Sequence, residues 1–490
     1  MQGRGTGQPG GDKAAQYIAD QFARLKLTPQ GEKGSYFQPV KFTDLNWQPE
    51  TTLKVGDSAF KFGSDYVPLP LYGEDKNRSG DMVFIAYGVE SPVLKRNDVR
   101  GVNVSGQVVV LMEGPPPGVS KSVWESQDLS QQIMFNLVQS GAAGIIILQN
   151  GREEDPYSLT ADYLSRRRVF TGDIPSQFSY IPPIFMVSDE AAEKLFAKSG
   201  RTWADARKQA DGTDFKPYSL KQSAKMVTKA KTAKSTGNNV VGLLEGSDPT
   251  LKNEAIVYTA HYDAYGTGAD GRIYHGAADN ALGVAEMLAV AEAFTSAPVR
   301  PKRSIIFLAV TGEEYGGLGS DYWVDHPTWK IKQVAADLNL DGMGTEVYGP
   351  VKTIVGFGAE HSTLGPTLLD VVAANNLSII RDPMPEEKAF YRSDHYMFVK
   401  KGVPGLMLLG APAGDAKVWV DRMKGWEHGD YHQPGDVIKP DWNWDGPRTV
   451  AVVMAQMGWR TGNAQTMPAW VERSPFNRER GTNLPPPPEP

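Results

Sequence analysis

The 490-residue chain contains no cysteine. Disulfide frameworks and thiolate chemistry are thereby excluded, and any metal centre must be built from histidine and carboxylates. No stretch approaches the ~18 consecutive apolar residues expected of a membrane-spanning helix, and no charged-then-apolar leader opens the chain. An excess of positive charge is missing too. The 51 Lys and Arg are outnumbered by 57 Asp and Glu, and a net charge of −6 offers no bulk attraction for a phosphate backbone, which argues against a nucleic-acid partner. What is present, 40% hydrophobic and 22% charged residues, is ordinary globular composition with ample apolar side chains for a core. Function must therefore be sought in local motifs.

The Gly-rich, polar segment 1–11 reads as the start of a mature sequence whose signal segment has been removed. The matching expectation is a bacterial periplasmic or secreted protein, which the lack of free thiols fits. Asp12 is positioned to cap a helix in which Ala15, Ile18, Ala19, Phe22 and Leu25 recur at helical spacing. Strand-type runs follow at 36–42 and 52–62. Short apolar runs at 82–87, 102–112 and 143–149, with a helical stretch at 123–140, then predict buried strands around a crossover helix. A run at 181–187 ends at Ser188, which can cap a helix over 191–198. Five lysines between Lys221 and Lys234 alternate with small or polar residues and read as a solvated strand face rather than an anion site. The tail 475–490, with four consecutive prolines, is predicted to be disordered.

Seven histidines are few enough to be weighed individually. His261 ends the apolar run 255–260, where an open α/β sheet presents its ligand-binding edge. Strand alternation would point Asp263 the same way, so that its carboxylate accepts the proton of the ring nitrogen not used for metal. Alone, a strand-end histidine is more often structural; its company reverses that. Asp279, in Gly276-Ala277-Ala278-Asp279-Asn280-Ala281-Leu282-Gly283, is placed to open a helix, and a carboxylate there can cap or can bridge two cations. The strand 304–310 runs into Gly312-Glu313-Glu314, and two adjacent carboxylates after a buried strand are costly unless a cation stabilises them. One glutamate can ligate while its neighbour takes a proton from water. The run 335–340 delivers Asp341, and Asp430-Tyr431-His432-Gln433-Pro434-Gly435-Asp436 supplies a second histidine in a turn-rich loop. Two histidines and three carboxylates suit two zinc ions sharing a bridge, with Mn or Co as substitutes. His395 is balanced between lining the cleft and a structural role, while His275, His326, His361 and His428 are weaker candidates.

Taken in order, His261-x-Asp263, Asp279-Asn280-Ala281-x-Gly283, Gly312-Glu313-Glu314, Asn339-Leu340-Asp341 and Tyr431-His432-x-Pro434-x-Asp436 resemble the M28 family of di-zinc peptidases. The resemblance implies that His261, Asp279, Glu314, Asp341 and His432 are ligands and that Glu313 is the general base. It also implies a mixed central sheet flanked by helices, the zinc-dependent exopeptidase fold, over 12–48 and 225–465. Leu282 stands where many relatives have Ser, at a position that is not a ligand. The segment 49–224 resembles a protease-associated domain, most recognisably at Gly141-Ala142-Ala143-Gly144, inserted into the α/β fold. The expected substrate is a peptide or small amide and the expected activity that of an aminopeptidase, with the Tyr431 hydroxyl as candidate oxyanion donor. Carboxypeptidase or dipeptidase action uses the same scaffold, and Arg392 or Arg166–Arg168 could meet a free carboxylate. Glutaminyl cyclisation by a single zinc and a non-catalytic binding protein are the competing classes.

Overall fold

The computed structural model describes residues 2–69, 75–149, 156–174 and 179–477. The disordered tail expected over 475–490 lies, from residue 478 on, outside the described residues. Two compact units divide the chain: Met1–Phe42, Val169–Gly172 and Lys234–Pro490 form the first, and Thr43–Arg168 with Asp173–Ala233 form the second. These divisions fall six residues before 48/49 and nine after 224/225. Strand Phe37–Trp47 begins in the first unit and strand Ala230–Leu244 ends in it, so neither boundary coincides with a strand end.

The first unit is built on a ten-stranded mixed sheet. Its middle strands run in the order Ala230–Leu244, Ser304–Val310, Ala255–His261, Val334–Asn339, Gly405–Pro412, Val351–Phe357. Four of these, from Ser304–Val310 to Gly405–Pro412, are mutually parallel, with antiparallel neighbours on either side. Parallel strands are covered on both faces and therefore read as unbroken apolar runs; Ser304–Val310 and Ala255–His261 are buried throughout. Their residues still alternate. Ile256, Tyr258, Ala260, Ile305, Phe307 and Ala309 join the core containing helices Pro9–Arg24, Gly283–Ser296 and Asp445–Asn463, whereas Val257, Ile306, Leu308 and Val310 pack with Trp323 and Phe398 on the opposite face. The result is a mixed sheet between two helical layers.

The helix expected from Asp12 is Pro9–Arg24. Pro9 opens it, because a first-turn N–H has no intrahelical acceptor to lose, and Asp12 instead adds negative charge to the first turn. In the second unit an eight-stranded sheet carries the parallel run Lys76–Phe84, Val108–Met112, Gly144–Leu148, Ile184–Val187. The helix expected over 123–140 is two, Lys121–Ser126 and Leu129–Gln139, separated at Asp128, whose φ of 49° leaves the helical region. Ser188 caps its helix as expected, accepting from the Ala191 N–H. The five lysines from Lys221 to Lys234 are all exposed.

Candidate metal centre

Strand register explains how distant motifs meet. Thr259 pairs with Asn339, so His261 and Asp341 each follow two residues later, and His261 pairs with Val310, directly before the Thr311–Glu314 turn; all three arrive at one carboxyl-terminal edge. Gly312, with φ of 77°, lets the strand turn sharply enough to present Glu313 and Glu314 together. Asp279 does not open the helix. Its backbone and that of Asn280 lie outside the helical region, and the regular helix begins at Gly283. Asn280 explains this arrangement: its side chain donates to the Leu340 carbonyl and accepts from the Gly283 and Gly342 N–H groups, tying the Asp279 turn to the strand end that carries Asp341.

Two donor groups converge across this edge, His261 with Asp279 and Asp341, and Asp279 with Glu314 and His432; in each, the donor atoms lie within 4.8 Å of one another. His261 Nε2 is 3.2 Å from Asp279 Oδ1 and 3.3 Å from Asp341 Oδ1, while His432 Nε2 is 3.1 Å from Asp279 Oδ2 and 3.0 Å from Glu314 Oε2. Asp279 thus turns one oxygen to each triad. Glu313 Oε2 stands 3.7 Å from His261 Nε2. All five sequence-derived ligands and the candidate base are therefore brought together. Tyr431 stacks on His432 with ring centroids 3.6 Å apart and borders the same cavity as Glu313, Asp279 and Asp341.

Asp263 occupies a different place from the one expected. The strand ends at His261, so alternation does not extend to residue 263. The His261 Nδ1 contact is with the Asp263 backbone carbonyl at 3.3 Å, and the carboxylate is 3.8 Å away. That carboxylate instead accepts from the Thr6 hydroxyl at 2.8 Å and from the Glu313 N–H at 3.2 Å. His395 is fully buried against Phe390 and Asn339 and does not line the cavity, which fits a structural role. Arg166 and Arg167 are held by Asp162 and Asp44 and Arg168 lies over the Tyr163 ring, whereas Arg392 borders the cavity.

Three supporting residues escaped sequence reasoning. Ser393 donates to Asp341 Oδ2 at 2.6 Å and accepts from Asn339. Arg4 and Thr6 reach the site from the Gly-rich start. Ser393 adjoins the inspected Asp394-His395 pair, but nothing in the pattern distinguished Arg4 or Thr6 from a flexible leader.

The electrostatics are those of a cation site. Burial disfavours a charged His261, yet the Glu313 and Asp341 charges hold its pKa well above the usual imidazole range. Burial likewise opposes charge on His432, and Glu314 with Asp279 lifts it to about 9. Asp279 is drawn below the ordinary carboxylate range against the effect of burial by hydrogen bonds from both histidines. Burial raises Glu313 well above that range. Glu314 Oε2 is buried against the His432 imidazole at 3.0 Å. Imidazoles forced to act as counter-ions for a carboxylate nest fit divalent cations that would replace those protons. The donor set of nitrogen and oxygen is suited to zinc.

Residues 239–458 match the profile of peptidase family M28. This segment belongs to that family. The chain is 29% identical over 234 residues to Aminopeptidase YwaD of Bacillus subtilis, covering 46% of this chain and 45% of that protein. It is 39% identical over 107 residues to the Vacuolar membrane protease of Clavispora lusitaniae, covering 22% of this chain and 9% of that one. The chain thus matches less than half the length of either relative. In three dimensions it resembles the aminopeptidase from Aneurinibacillus sp. strain AM-1, at TM-score 0.61 and 17% identity, covering 94% of this chain and 91% of that one. It also resembles the zinc aminopeptidase of Bacillus subtilis, at TM-score 0.55 and 17% identity, over 92% and 89% of the two chains. At these identities the likeness is one of fold. Among the described residues no helix is long and apolar enough to cross a membrane.

Proposed function

We propose that the protein is a two-zinc aminopeptidase, with His261, Asp279 and Asp341 holding one ion and Asp279, Glu314 and His432 the other. The observation that carries this reading is the pair of donor triads sharing Asp279. Zinc bound there would supply Lewis acidity to a carbonyl oxygen and bring the pKa of water towards neutrality, with Mn or Co as substitutes. Glu313 is the general base: it takes the proton of the attacking water and passes it to the leaving amine, and a pKa raised by burial suits a carboxylate that must both accept and release a proton near neutral pH. Tyr431, on the cavity wall, is the donor to the developing oxyanion in this reading. Asp263 holds the Glu313 backbone in place through its N–H.

Single-residue release is supported by the adjoining cavity. Its wall is apolar at Met343, Phe357, Met384, Met407, Leu409 and Trp426, which suits an apolar side chain beside the donor groups. Arg392 on the same cavity favours a second reading, a carboxypeptidase or dipeptidase that meets a free carboxylate. Glutaminyl cyclisation needs one zinc and leaves the second triad without purpose, and a dead binding fold would not need the full donor set.

We also propose that the second unit is a protease-associated domain, on the strength of its parallel run and the Gly141–Gly144 lead into strand Gly144–Leu148, and that the protein is exported, consistent with the absence of cysteine. Cell fractionation tests the latter. The function itself is tested by counting bound metal and assaying aminoacyl p-nitroanilides, N-blocked peptides and glutaminyl peptides with the chelated and zinc-restored protein. Two zinc ions and restored cleavage confined to free N-termini are the expected result. Turnover of blocked peptides would establish the second reading, and cyclisation or complete inactivity would overturn both.

A further inference from the structure

The short segment ahead of the first helix behaves as part of the centre. Arg4 Nε donates to the Tyr262 carbonyl, and its two terminal nitrogens donate to the carbonyls of His275 and Gly276, all at 2.6 Å. Tyr262 follows His261 directly, and Gly276 lies three residues before Asp279. One planar guanidinium, with donors in a fixed fork, thereby joins the loop carrying one triad's histidine to the loop carrying the shared carboxylate. Two residues on, Thr6 is fully buried and its hydroxyl donates to Asp263 Oδ2, while Asp263 Oδ1 accepts the Glu313 N–H. The backbone is seated closely enough for this only because Gly5 and Gly266 lack side chains: a Cβ on Gly266 would come within 2.7 Å of the Gly5 Cα.

We propose that Arg4 and Thr6 are positioning residues of the metal centre: Arg4 locks the His261 and Asp279 loops together, and Thr6, acting through Asp263, locks the turn that presents Glu313 and Glu314. The proposal rests on the two-zinc reading above. Groups that orient ligands without touching metal typically change metal affinity by about 10–100-fold when removed.

Arg303 provides an internal control. It too is an arginine that donates to backbone carbonyls, those of Thr461 and Ala464, and also to Glu254, but it is buried and precedes strand Ser304–Val310 at the edge opposite the triads. The test is competition of the full-length protein with a chromophoric zinc chelator, alongside thermal unfolding. Arg4→Ala and Thr6→Val are expected to weaken zinc binding by about tenfold or more, and Arg4→Lys, which keeps the charge but not the fork, is expected not to restore it. Arg303→Ala is expected to lower Tm while leaving zinc affinity within about twofold. Thr6→Val is nearly isosteric and remains informative where Arg4→Ala does not fold. Unchanged zinc affinity in Thr6→Val and Arg4→Ala, or an equal loss in Arg303→Ala, would overturn the proposal. Failure of the unmodified chain to take up two zinc ions would instead remove the two-zinc reading, and this inference with it.

Discussion

Each unit contains four adjacent parallel strands, and the two sets treat charge in opposite ways. In the second unit the strands Lys76–Phe84, Val108–Met112, Gly144–Leu148 and Ile184–Val187 carry a buried apolar core of their own. There a buried cation faces a buried anion one to one: Arg96 and Asp98, 3% and 1% exposed at their side chains, meet at 2.8 Å, and Arg96 lies over the Tyr87 ring. Ser188, at the end of one strand, uses its hydroxyl to cap a helix. In the first unit the corresponding strand ends deliver His261, Glu313, Glu314 and Asp341, and with Asp279 the carboxylates there outnumber the imidazoles of His261 and His432 that face them. A parallel sheet supplies an edge in both cases. What distinguishes a reactive edge from a structural one is charge left for something else to neutralise.

The comparison is broken most severely at the reactive edge. Glu313→Gln should leave zinc content unchanged, because Glu313 belongs to neither triad, and should lower kcat by about 10²–10⁴-fold. Stopped assays with metal analysis check both halves; near-normal kcat would remove Glu313 from the base role. At the structural pair, Asp98→Ala leaves a buried guanidinium uncompensated and should cost about 3–5 kcal/mol in denaturant unfolding, without altering zinc stoichiometry in the protein that remains folded. A cost below about 1 kcal/mol would mean that the pair is less buried in solution than in the structure.

The same contrast governs how much could be read beforehand. The apolar runs at 255–260 and 304–310 and the residues after them were legible because a buried strand and an acid at its end are both local signals. The convergence of His261, Asp341 and His432 was legible only through the order of five motifs, since no local pattern encodes a register across residues 80 or 170 apart. Asp279 was misplaced onto a helix start because its turn is dictated by Asn280 bonding to Leu340 and Gly342, partners in another strand loop. Asp263 was misassigned because the strand ends two residues earlier than the alternation rule required. Arg4 was invisible for a similar reason: its three acceptors are backbone carbonyls about 260–270 positions away, and a carbonyl has no sequence signature.

Tyr431 offers a milder perturbation of the reactive edge. Tyr431→Phe preserves the stack on His432 and removes only the phenol, so kcat should fall about 10–100-fold with zinc affinity intact, somewhat less than the loss of a main oxyanion donor. A change in zinc binding without a change in kcat would assign the ring a purely structural role.

The gentlest test concerns Asp394, a buried acid behind the centre that is neither ligand nor base. Its Oδ1 accepts from the Ser320 hydroxyl at 2.6 Å, and its Oδ2 is buried without a partner. Burial pushes its pKa up to about 7, with the His261 charge opposing and the Asp341 and Asp263 charges adding to the rise. In the chelated, metal-free protein the unfolded chain releases this proton near the ordinary Asp value of about 4, whereas the folded state keeps it to about 7. The folded state therefore binds more protons in that window. The contribution is fully present below about pH 4 and is lost as pH rises towards 7, at up to about 1.4 kcal/mol per pH unit. Asp394→Asn should remove that component of the slope, because the amide supplies a permanent donor where the acid supplies its proton. Urea unfolding of both proteins at a series of pH values isolates it from the titrating histidines, which are common to the two. Identical slopes would mean that Asp394 ionises normally and that solvent reaches Oδ2, making this acid part of the solvated edge rather than of the core.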